Sequence, residues 1–282
     1  MSDLIDDRAA PAAAQPATQH GSFVWYELLT RDPEAAAAFY GKVVGWTARD
    51  SGQPDMSYTL LSAGDGDVAG LMAIPPDAAK AGMRPGWLGY IGVANVDDAV
   101  ARTKAAGATV HVPPTDIPNV GRFSLLADPQ GVPFYMMQGA SDGTSKAFAP
   151  NRLGHCSWNE LSTTDQEAAF AFYAGAFGWA KGDAMDMGPM GIYQFITDPA
   201  AATGEGCEGS GTIGAMMTRP EGAPEGWTFY FRVADIERAA ATAEAEGATI
   251  LHGPADVPGG DRIIVGRDPQ GAVFALVGAA QA

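Results

Sequence analysis

Basic residues are scarce in this chain: 17 Lys and Arg stand against 33 Asp and Glu, a formal net charge of −16. So acidic a surface repels phosphate backbones and anionic lipid, so neither nucleic acid nor a membrane is expected as a partner. Cysteine is nearly missing. Cys156 and Cys207 are too few for a disulfide framework, and a reducing cytoplasm is the simplest setting. No apolar run approaches the ~20 residues that span a bilayer. Residues 1–20, rich in Ala, Pro, Gln and Asp, lack the basic and apolar regions of a secretion signal and read as a disordered arm. A glycine-rich phosphate loop and a nucleophile elbow are also wanting, since GDGD and GEGCEGSG have only turn or loop composition.

What the chain does have is a second copy of itself. Trp25, Glu27, Asp32, Phe39, Tyr40 and Trp46 recur 133 positions later as Trp158, Glu160, Asp165, Phe172, Tyr173 and Trp179. From Trp87 onward the lag is 140, returning Arg122, Asp128, Gln130 and Gly131 as Arg262, Asp268, Gln270 and Gly271. Two gapless lags mean a duplicated domain with one net insertion, placed by composition in DPAAATGEGCEGSG of the second copy. Each copy of about 120 residues is large enough for a core of its own. The expected organisation is an arm over 1–20, a first domain over 21–139, a linker over 140–152 and a second domain over 153–280.

Within the first copy, FVWYELLT alternates as a strand. Asp32-Pro33-Glu34 then caps and opens a helix that ends at Gly45. SYTLLSAG and VAGLMAI read as strands, WLGYIGVANV as another, and VDDAVARTKAAG as a second helix. TVHV, RFSLLA and PFYMMQG complete the copy. Asp128-Pro129-Gln130-Gly131 suits a type I turn between the last two. The repeating unit is βαβββ, four times over, an α+β chain.

That order, the helix-start pattern with FY, the GW that follows, and the DPQG turn resemble the glyoxalase, bleomycin-resistance and extradiol-dioxygenase superfamily of vicinal oxygen chelate proteins. The match is closest to its two-domain glyoxalase-like or hydroxylase-like branch. The resemblance implies tandem domains, each of two modules forming a cup-shaped mixed sheet with helices outside. It also implies a divalent ion held on the first, fifth and eighth strands. Those ligand positions map to Trp25, Leu88 and Tyr135 in the first copy and to Trp158, Thr228 and Ala275 in the second. None is a good ligand, so no cofactor is expected, with a divalent metal on other ligands left open.

Strand alternation puts Glu27 and Glu160 on the same face as their tryptophans, as candidate general bases or ligand acceptors; the alternative is a structural carboxylate. Trp25, Trp158, Trp87, Trp227 and Tyr135 are candidate pocket walls, with core packing the competing reading for the tryptophans. Arg122 and Arg262 are candidate clamps for an anionic ligand oxygen, or else loop ties to Asp116 and Asp256. Cys156 is in phase with Glu160, whereas His155 falls on the opposite face and reads as a surface or edge residue. The expected function is binding of a small apolar or planar molecule in aromatic-lined cups without the usual metal. The alternative is a lyase or isomerase using Glu27 or Glu160 as base. Either as monomer or as homodimer, the chain is expected to meet a small-molecule ligand.

Overall fold

The computed structural model describes residues 20–53, 56–141, 143–201 and 211–280. Cys207, nearly all of the N-terminal arm and most of GEGCEGSG lie outside the described residues. The first repeat runs β1 (Phe23–Thr30), α1 (Pro33–Val43), β2 (Thr47–Asp50), β3 (Thr59–Ala63), β4 (Gly66–Ala73), a short α2 (Pro76–Lys80), β5 (Gly86–Gly92), α3 (Val96–Ala105), β6 (Thr109–Ile117), β7 (Gly121–Ala127) and β8 (Pro133–Gly139). The second runs β9 (Cys156–Thr163), α4 (Gln166–Phe177), β10 (Ala180–Asp186), β11 (Ile192–Thr197), β12 (Thr212–Thr218), β13 (Gly226–Val233), α5 (Ile236–Ala245), β14 (Thr249–Asp256), β15 (Asp261–Arg267) and β16 (Val273–Ala279).

Local chemistry accounts for the element boundaries. Asp32 caps α1 by accepting from the Ala35 N–H at 3.0 Å, and Asp165 does the same for Ala168 on α4 at 3.0 Å. In the DPQG turn, Gly131 N–H bonds the Asp128 carbonyl at 2.9 Å and takes the positive φ of 89° that glycine tolerates. The strand that patterning did not reveal is β2: all four of its residues are exposed, so it carries no alternation.

Each repeat builds its own eight-stranded mixed sheet, in the order β2-β3-β4-β1-β5-β8-β7-β6, and the second copies it strand for strand. The central pairs β1·β4 and β5·β8 are parallel, while β1·β5 joins the two modules antiparallel. Each cup therefore closes within one repeat. Its convex face and helices pack against the other repeat, and one apolar core draws residues from both.

The duplicated motifs meet at this seam, reciprocally. Phe39 and Tyr40 of α1 pack edge-on to Phe274 of β16, with centroids 5.7 and 6.1 Å away, while Phe172 and Tyr173 of α4 pack on Phe134 of β8 at 6.1 and 5.5 Å. Tyr40 donates its hydroxyl to Asp268 at 3.1 Å, and Tyr173 pairs with Asp128. Trp46 donates to the Gly154 carbonyl and Trp179 to that of Gly21, both at 2.7 Å. The Gln270 amide clamps the Asp32 backbone at 2.8 and 2.7 Å, and Gln130 clamps that of Asp165 at 2.7 and 2.9 Å. At the centre, Tyr26 donates to Asn159, its own counterpart in the other repeat, at 2.8 Å. A residue touching its equivalent is the signature of a two-fold relation. Gly89 completes the centre, because a Cβ there would press on the rings of Phe23 and Phe229 at 2.8 and 2.9 Å.

Tyr26→Phe removes a buried hydrogen bond and leaves the Asn159 oxygen short of a donor, so it should cost about 1–3 kcal/mol. Phe229→Ala opens the seam and should cost about 3–5 kcal/mol. Denaturant midpoints check both, and an unchanged midpoint for either would contradict the seam's role.

Candidate functional site

The concave face of the first sheet carries the chemistry. Along β1, Trp25, Glu27 and Leu29 face it, while Tyr26 and Leu28 turn to the seam. Register fixes a row across the sheet: Trp25 stands opposite Tyr90, Tyr90 beside Tyr135, Tyr135 opposite Leu125, and Leu125 opposite Val112. These side chains pack as a cluster separate from the core between the repeats.

At the floor sits Glu27, 3% exposed. Tyr135 donates to its Oε1 and Tyr90 to its Oε2, each at 3.0 Å, and the Tyr58 hydroxyl bonds it as well. Trp25 Nε1–H donates to Tyr58 at 2.8 Å, so an indole–phenol–carboxylate chain lines one wall. Burial pushes the Glu27 carboxyl above its ordinary value, and the three hydroxyls pull it partly back. Burial and the neighbouring carboxylate hold Tyr58, Tyr90 and Tyr135 well above the usual phenol value, so they keep their hydrogens. Gly70 makes room for this arrangement, since a Cβ at that position would overlap the Tyr58 ring.

Above Glu27 opens a cavity of about 670 Å³. Trp25, Met56, Met72, Phe123 and Met137 supply much of its apolar wall, and residues 143–146 of the segment between the repeats close one side together with His155. His155 is buried rather than at a surface or edge: its Nε2 lies 2.8 Å from Asp65 and its Nδ1 2.6 Å from the Lys146 carbonyl. Arg152 pairs with the same Asp65, so the repeats are tied together at the cavity's edge.

The second cup repeats the theme with substitutions. Glu160 accepts from Tyr193 at 2.7 Å and Tyr230 at 3.2 Å, and Trp158 donates to Tyr193 at 2.8 Å. Its row reads Trp158, Tyr230, Ala275, Val265, His252. Ala275 replaces the third tyrosine, and the exposed His252 replaces Val112. Burial raises the Glu160 carboxyl, and His252 acts on it in the opposite sense across the curled sheet. Glu160 is partly exposed where Glu27 is sealed.

Several expected positions lie elsewhere. Trp87 pairs with Leu28 and Trp227 with Leu161, both on the convex face, so these tryptophans pack into the seam against Tyr40 and Tyr173 instead of lining a cup. Arg122 is held by Asp97 and Asp116 at 2.8 Å each, and Arg262 by Glu237 and Asp256, which leaves them loop ties outside the cups. Cys156 turns away from the cup. Phe231 faces Cys156 while the adjacent Tyr230 faces Trp158, so Ser157 is bulged out and the alternation shifts there. The thiol is fully buried in the seam beside Tyr26 and Asn159. Tyr135 was expected as a pocket wall and stands beside Glu27; Tyr58, Tyr90, Tyr193 and Tyr230 were not anticipated, although Tyr90 and Tyr230 recur at the 140-residue lag.

The divalent ion implied by the resemblance does not fit these residues. Trp25, Leu88 and Tyr135 face the first cup, and Trp158, Thr228 and Ala275 occupy the same places in the second. Both Glu27 oxygens are engaged by tyrosines, and among the described residues no three His, Cys, Asp or Glu side chains converge. No helix among the described residues is long and apolar enough to cross a membrane.

Comparison with known proteins agrees with the fold. The manganese(II)-bound glyoxalase of Novosphingobium aromaticivorans superposes with a TM-score of 0.61 at 15% identity, over 94% of this chain and 89% of that one. "Putative glyoxylase CFP32" of Mycobacterium tuberculosis is 32% identical over 92% of this chain and 95% of its own length. The anthracycline biosynthesis protein DnrV of Streptomyces peucetius is 30% identical over 91% and 93%. The family model for glyoxalase, bleomycin resistance protein and dioxygenase matches twice, over residues 22–136 and 152–276, and the chain belongs to that superfamily.

Proposed function

We propose that the first cup binds a small planar, largely apolar molecule without a metal ion. The observation that carries this reading is the 670 Å³ cavity, walled by aromatic and methionine side chains around one buried polar focus, Glu27. Its size falls within the roughly 300–1,000 Å³ of small-molecule sites, which are mostly apolar with a few convergent polar groups. Relatives named for anthracycline biosynthesis support a flat, fused-ring ligand. Naphthalene-1-methanol, a neutral planar probe, should raise the melting temperature in chelator-treated buffer. Trp25→Ala should weaken its binding about tenfold through lost ring contact. Stabilisation that appears only after manganese, zinc or iron is added would sink the metal-free reading.

A second reading, a lyase or isomerase, is favoured by one feature: burial raises both cup glutamates toward the range where a carboxylate works as a general base. Glu160, partly exposed and within electrostatic reach of His252, is the better placed of the two. Solvent deuterium exchange into a carbonyl compound with an acidic α-hydrogen tests it. Glu160→Gln should cut the rate by about 100-fold or more with the melting temperature retained. No exchange with the unaltered protein would remove this reading.

Stability should report Glu27 directly. Its folded-state value is raised above 4.5, so the folded chain binds a proton that the unfolded chain gives up. The stability from this group is complete below the ordinary value and is lost as pH rises through the raised one. Relative to Glu27→Gln, the unaltered protein should therefore lose denaturant resistance as pH rises above the ordinary carboxylate value. A parallel pair of curves would contradict the buried, raised carboxyl.

A further inference from the structure

The Glu27 carboxylate lies deep in the protein without a cation. None of the ion pairs among the described residues includes it, and the groups that act on it are burial and three tyrosine hydroxyls. The two basic side chains on the cavity wall do not serve: His155 is engaged with Asp65, and neither it nor Lys146 is among the groups that act on Glu27. A buried carboxylate with no counter-charge is costly. The tyrosines offset part of that cost, yet two carboxylate oxygens offer about four acceptor positions, and three hydroxyls leave one unfilled. The surroundings are what a cation seeks. Trp25, Tyr58, Tyr90, Tyr135 and Phe123 present aromatic surface to the same cavity, and ring faces attract ammonium groups. A net charge of −16 draws cations toward the molecule and repels anions.

We propose that the ligand of the first cup is an organic amine, a protonated nitrogen on a planar apolar body, with the ammonium set against Glu27 inside the tyrosine ring. This rests on the reading of the first cup as a small-molecule site and names the chemical class it takes. Glu27 is then the specificity residue, and the aromatic walls hold the body.

Three probes sharing one ring system separate the two ideas: 1-naphthylmethylamine, naphthalene-1-methanol and 1-naphthoate, each titrated at pH 7 with chelator present. The amine should bind at least tenfold tighter than the alcohol, the naphthoate should not bind detectably, and the amine's advantage should shrink as salt is raised. Glu27→Gln should lose the preference for the amine over the alcohol. A readout that needs no variant is the pH dependence of the unaltered protein: the amine's advantage over the alcohol should shrink as pH is lowered and Glu27 takes up a proton, because a neutral carboxyl no longer attracts the ammonium. Equal affinity for amine and alcohol, or a preference that survives Glu27→Gln, overturns the cation proposal while leaving the small-molecule reading in place. Failure of both amine and alcohol to bind overturns both.

Discussion

Everything in this molecule hangs on the apolar seam where the convex faces of the two sheets meet. Neither eight-stranded sheet can leave that face in water, and each repeat covers the other with its first helix, its GW tryptophan and its DPQG turn. The contacts come in reciprocal pairs, Tyr40 with Asp268 and Tyr173 with Asp128, or Gln270 on Asp32 and Gln130 on Asp165. Because the two copies share one chain, a change at one position breaks one contact of such a pair and leaves its counterpart in place. The residues common to both copies are thus largely those that the seam requires. They mark how the halves are joined more than what the protein binds.

With the convex faces spent on each other, the concave faces are released for chemistry, and there the copies have diverged. The first row ends in Tyr135, Leu125 and Val112, the second in Ala275, Val265 and His252. Across these differences Glu27 lies buried with three tyrosines around it, while Glu160 is partly exposed, with two tyrosines and an imidazole within electrostatic reach. The two cups thus differ in polarity and in the exposure of their glutamates. The electrostatics of the two glutamates differ for the same reason, since only Glu160 has a basic group acting on it.

The positions that the resemblance assigns to metal ligands carry Trp25, Leu88 and Tyr135 in the first half and Trp158, Thr228 and Ala275 in the second. What stays on the first strand is a carboxylate two residues further along, on the same face and deeper in the sheet. Tyr58, Tyr90 and Tyr135 donate to it. The joint between repeats and the first cup also touch: residues 143–146 and His155 line the cavity, and His155 and Arg152 both pair with Asp65 of the first repeat.

The amino-acid sequence by itself determined the duplication, the βαβββ order, the helix caps and the DPQG turns. It also placed the inward-facing Trp25, Glu27, Trp158 and Glu160. These are local or periodic properties, set by spacing along one chain. Only the tertiary structure decided the rest, because it depends on which strands become neighbours. A bulge at Ser157 reversed the facing of Cys156, and the pairing of Trp87 with Leu28 sent that tryptophan to the seam. Exposed β2 left no pattern to read. Tyr58, Tyr90 and Tyr135 lie up to 77 residues apart in the chain and become one ring only when β5 and β8 line up beside β1 and the segment before β3 folds over Gly70. Periodicity tells a side chain which way to face, whereas register and sheet curvature choose its company.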